Sequence, residues 1–163
     1  MDNAGARRSF RWIIAGTAVA LLAAGGLAAV LLDDEPRRHV AMPATDATPA
    51  DVVRAYVDAL DAHDFDTAGR LLTSESVEQV RDTWFEDVDR ITDVQIGTTR
   101  AEEPRWTGHD EDEQVMRVPV TFDLRWRLLH NDGSLQEGPT AWGYLLVRGS
   151  DAEPWRIFDQ GMG

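Results

Sequence analysis

Twenty-one consecutive residues, Trp12 to Leu32, carry no charge; Arg7, Arg8 and Arg11 precede them, and Asp33, Asp34 and Glu35 follow. A helix rises about 1.5 Å per residue, so this run would be roughly 30 Å long, the thickness of a bilayer's hydrocarbon core. The pattern predicts four parts: a cytoplasmic tail at 1–11, a transmembrane helix at 12–32, a linker at 33–47 and a soluble domain at 48–163. Arginines beside a span favour the cytoplasmic side. The expected arrangement is a single-pass protein of the cell membrane, partnered with the lipid bilayer through Trp12–Leu32, with its carboxyl-terminal domain extracytoplasmic. A cleaved secretory signal is the competing reading. Against it, the run ends in Val30, Leu31 and Leu32, a poor context for cleavage. Ala6–Arg11 also resembles a twin-arginine export signal, although Arg11 stands where an apolar residue is usual.

Charge narrows the partners. All sixteen basic side chains are arginine, against 29 acids, and the net charge is −13. The absence of lysine fits a GC-rich coding bias of the actinobacterial kind. Such an acidic chain repels phosphate backbones, so nucleic acid is excluded as an expected partner. Zero cysteines remove disulfides, thiolate metal sites, cysteine nucleophiles and a lipidated amino end together. The domain must then rest on its core, for which most of the chain's six tryptophans and five phenylalanines supply apolar area.

Within that domain the hydrophobic period changes once. Thr48-Pro49-Ala50-Asp51 reads as a helix start, with a capping hydroxyl, proline in the first turn and an acid facing the positive helix end. Val52, Val53, Tyr56, Val57 and Leu60 then share one helical face. The pattern breaks at His63-Asp64-Phe65-Asp66, and a short second helix follows through Leu72. A third is expected from Ser74 or Ser76, with Val77, Val80, Trp84, Val88 and Ile91 at spacings of three and four. Strands are expected at Val94 and Ile96, Val115 to Leu129, Thr140 to Arg148, and Trp155 to Gln160, separated by polar stretches. In the longest, Met116, Val118, Val120, Phe122, Leu124, Trp126 and Leu128 alternate onto one face. Pro119 cannot donate to a ladder and therefore marks an edge or a bulge.

Helices followed by an antiparallel meander make an α+β fold of packed layers. The segment Thr48–Ser76, with its apolar helix and its His63-Asp64-Phe65 corner, resembles the opening of nuclear transport factor two-like domains, and Trp155–Gly161 is similar to their closing strand. The resemblance implies a cone in which three helices pack on a curved antiparallel sheet, often around a pocket. Membrane-anchored versions resemble accessory proteins of bacterial envelope systems, so an envelope protein is a further expected partner.

Some members of that superfamily are isomerases or lyases that use an acid, histidine or tyrosine inside the cone. The corresponding pocket positions here are Tyr56, Trp84, Trp126, Trp142 and Asp159. Asp159 shares strand parity with Trp155 and Ile157 and is therefore expected to point inward. His63 reads as a solvated corner histidine, and Asp123 as a cross-strand partner for neighbouring arginines. Asp110–Glu113 lacks the ligand spacing of a calcium loop, and the four histidines lack metal spacing. No catalytic set, metal or cofactor is expected. The sequence favours a binding module for a partner protein or apolar ligand over the alternative, a small-molecule isomerase or lyase using Asp159.

Overall fold

The computed structural model describes residues 37–128 and 135–162. Helix α1 spans Pro49–Asp61, α2 Phe65–Leu71 and α3 Ser74–Val80; a π-helical turn, Arg81–Phe85, follows directly. Strands β1 (Val88–Ile96), β2 (Arg100–Glu102), β3 (Gln114–Trp126), β4 (Gly138–Arg148) and β5 (Arg156–Met162) form one antiparallel sheet. Its order is β1-β3-β4-β5, with β2 pairing the beginning of β3.

The expected membrane-anchored architecture requires correction. The described residues hold three α-helices and an antiparallel sheet, and no helix among them is long and apolar enough to cross a membrane. The run Trp12–Leu32 lies outside the described residues. The expected transmembrane helix is therefore no part of the described fold.

The start of α1 follows from its sequence. Thr48 Oγ1 accepts from Asp51 N at 3.2 Å, while Asp51 Oδ2 accepts from Thr48 N at 3.1 Å, a reciprocal capping box behind Pro49. The helix ends with His63 in the left-handed region, φ 56°. There the His63 N–H reaches Leu60 O at 3.1 Å and the Asp64 N–H reaches Ala59 O at 2.9 Å, the paired bonds of a Schellman turn. Glycine usually fills that position because it has no Cβ to clash. Here the histidine is held by its buried ring.

One face of α1 and the concave face of the sheet make the main core, which includes Tyr56, Leu60, Val118, Phe122, Leu124, Tyr144 and Ile157. The alternation of β3 places Val118, Val120, Phe122, Leu124 and Trp126 inside. Leu128, expected on the same buried face, is 98% exposed because the strand has already ended at Trp126. Val88 and Ile91, expected on the third helix, belong to β1. Their spacing of three fits a helix, but the helical residues end at Asp87, two residues past the π-turn. β-Branched side chains then suit the pleated surface.

Pro119 sits in the middle of β3, opposite Gly143 of β4. On its other side the partner strand is interrupted: β1 stops at Ile96 and β2 begins at Arg100. Pro119, which has no N–H, therefore faces a gap in the ladder, and its carbonyl accepts the Gly97 N–H at 2.8 Å. A Cβ on Gly97 would lie 2.9 Å from Pro119 Cγ, so the two chains meet this closely only because residue 97 is glycine.

Candidate functional site

A pocket of about 190 Å³ opens between α3 and the second half of β5. Leu72, Val80, Trp84, Trp142 and Ile157 form its apolar walls; Ser76, Gln79, Asp159 and Gln160 supply its polar groups. Trp84 enters from the π-turn, a widened turn that re-aims the side chains it carries. Its ring packs 5.3 Å from Trp142, 5.6 Å from Trp126 and 6.2 Å from Phe122, centroid to centroid.

The sequence candidates divide at this pocket. Trp84, Trp142 and Asp159 line it. Trp126 stands behind Trp84, with its indole N–H donating to Leu135 O at 2.9 Å. Tyr56 is fully buried beneath, in edge-to-face contact with Tyr144 at 5.5 Å.

Asp159, expected to point inward, is exposed. The cause is a bulge in β5: Leu145 pairs with Asp159 but Leu146 pairs with Ile157, leaving Phe158 as the extra residue. An extra residue reverses the faces of everything after it. Gln160 thereby joins Tyr144 on the concave side as its direct cross-strand neighbour. The Asp159 carboxylate turns to the strand edge, where Oδ1 accepts the Gln160 N–H at 2.8 Å. The same reversal explains why sequence reasoning missed Gln160, since no glycine or proline marks the bulge. Ser76 and Gln79 also went unnoticed, although their spacing of three sets them on one face of α3.

Gln160 connects the pocket to the interior. Trp142 Nε1 donates to its Oε1 at 3.4 Å, a long bond. Burial raises the Tyr56 phenol well above its ordinary pKa, and the nearby Gln160 side chain offsets part of that rise. Even so, neither the Tyr56 nor the Tyr144 hydroxyl completes a hydrogen bond of normal geometry among the described residues. Tyr144 is raised too, first by burial and then by Tyr56. Both phenols therefore stay protonated at neutral pH and cannot serve as bases.

The helix corner is the opposite kind of place. His63 is 2% exposed, not solvated as expected. Arg127 Nη2 lies 3.2 Å from its Nδ1, and Asp89 O lies 3.1 Å from its Nε2. An arginine only donates, so Nδ1 accepts and the Nε2–H donates: His63 is neutral. Asp64 accepts from Val40 N at 2.8 Å and, capping α2, from Thr67 N at 3.3 Å. Burial alone would raise its carboxyl; the bonds from Val40 and Thr67 and the charge of His39 outweigh that and hold it below the usual range. Asp123, expected to pair with arginines, instead lies across from Thr92 and Pro139. Among the described residues no three side chains form a metal-ligand group.

No family model matches the chain, and no curated protein matches it significantly. A similar solved structure is the solution structure of a SEC-C motif containing protein from Rhodopseudomonas palustris: identity is 16%, coverage 74% of this chain and 82% of that one, and the TM-score 0.44. The nuclear transport factor two-like resemblance is withdrawn: no family model matches the chain. At that distance the likeness lends neither name nor activity to this chain.

Proposed function

We propose that the folded domain is a non-catalytic binding module whose pocket takes an apolar side chain of a partner protein. The size of the pocket carries this reading. At about 190 Å³ it is close to the ~150 Å³ that accommodates a benzene-sized group. It falls below the roughly 300–1,000 Å³ of sites for drug-sized ligands. One aromatic or branched side chain fills it. The polar lining supports binding over chemistry: Ser76, Gln79 and Gln160 do not titrate near neutral pH, and Ser76 already donates to Phe158 O at 2.6 Å. Asp159 stands at the rim with its carboxylate engaged by the Gln160 N–H.

Replacing Gln79 with a photoreactive side chain in the full chain tests the pocket in cells. The expected result is a discrete protein adduct on irradiation, lost when Trp142→Glu places a charge in the wall. An adduct that survives Trp142→Glu, or no adduct, overturns the reading. Extracytoplasmic location is part of the same proposal and rests on the arginines before the uncharged run. Digestion of the domain by protease added to spheroplasts is the expected outcome; full protection would overturn it.

A further inference from the structure

The pocket lies beside a strand edge that is covered only in its first half. Thr73 N donates to Ile157 O at 2.8 Å, and Leu72 bridges Ile157 in parallel, so the chain entering α3 already adds one rung to β5. Ser76 Oγ covers Phe158 O. Then α3 turns away, and from Asp159 to Met162 the outer side of β5 has no backbone partner among the described residues. The outward Gln160 N–H is occupied only by the Asp159 carboxylate, and Met162, two residues on and turned the same way, is 80% exposed.

We infer that an extended segment of a cationic partner protein pairs with Asp159–Met162, alternating basic and apolar side chains. The inference rests on the pocket reading above and names the partner's chemistry. An added strand places successive side chains on opposite faces. On the concave face one apolar side chain reaches the Trp84–Trp142 pocket; on the other, a basic side chain meets Asp159. Binding is an exchange: the partner's carbonyl takes the Gln160 N–H, and its cation takes the released carboxylate. Charge complementarity selects a basic segment twice, locally through Asp159 and at long range through the net charge of −13.

The test uses the full chain and a labelled hexapeptide alternating arginine and leucine, with a glutamate–leucine peptide as control. The arginine peptide is expected to bind and to shift the backbone amide signals of Gln160 and Met162, with affinity falling as salt rises. Met162→Pro removes an edge donor at an exposed position and should weaken binding about tenfold. Asp159→Asn should erase the preference for arginine, while Trp106→Ala, on a separate turn, should change nothing. Equal binding of the glutamate peptide, or undiminished binding by Met162→Pro, overturns the inference. If the arginine peptide fails while the Gln79 adduct persists, the edge inference falls and the pocket reading stands; if both fail, both fall.

Discussion

The His63–Asp64 corner and the Tyr56–Tyr144 floor are buried to the same degree yet treat their polar groups in opposite ways. At the corner, the Asp64 carboxylate accepts two backbone N–H groups and both His63 nitrogens have partners. At the floor, two phenol hydroxyls are shut away without a completed hydrogen bond among the described residues. Burying a polar group without a partner costs stability, and pairing it recovers most of that cost. The corner therefore holds the fold together, whereas the floor is a weak point beside the pocket. A charged or strained residue near a cavity is not by that fact a functional one.

Removing Asp64 should break this contrast most visibly. Asp64→Ala deletes the cap of α2 and strands the Val40 N–H, for a combined loss of about 2–4 kcal/mol in urea unfolding. A loss under about 0.5 kcal/mol, the size of an ordinary surface change, would show that the corner is not the anchor described. The same group sets a pH dependence. Its folded pKa is depressed, so its contribution is full above the unfolded carboxyl value of about 3.9 and fades as pH falls through the lower folded value. Parent and Asp64→Asn should therefore converge in stability in acid and diverge toward neutrality.

At the floor the sign reverses. Tyr56→Phe and Tyr144→Phe each remove an unpaired hydroxyl and should be neutral or stabilising by up to about 1 kcal/mol. A destabilisation above that size would mean the hydroxyls are hydrogen-bonded in solution. Asp159→Ala should have the smallest effect, within about 0.5 kcal/mol in the same unfolding measurement, since its side chain is exposed. A larger cost would show that covering the Gln160 N–H matters to the strand.

Much of the fold was legible because it rests on periods and local chemistry. The alternation of Val118 to Trp126, the Thr48 cap and the break at His63 each follow from adjacent residues. The features that escaped depend on one-residue changes of phase. The π-turn at Arg81–Phe85 shifted the phase of a helix that ends at Asp87, while the apolar spacing continued into Val88 and Ile91. The bulge at Phe158 exchanged Asp159 for Gln160 inside the domain. Neither carries a breaker residue, because each is stabilised by tertiary contacts: Trp84 against Trp142, and Phe158 O against Ser76. The Pro119 gap was half legible, since proline announces a missing bond but not that Gly97 would close over it.

The Phe158 bulge also defines an evolutionary distance. Were Phe158 drawn into the ladder opposite Leu145, Asp159 would stand opposite Tyr144, turning Gln160 away and carrying the carboxylate to the side of two protonated phenols. An acid in that setting has a raised pKa, the ingredient from which proton-transfer chemistry is built. A one-residue slip of register separates a neutral amide at this position from an ionisable group, so the step from binder to catalyst on this scaffold needs no new residue.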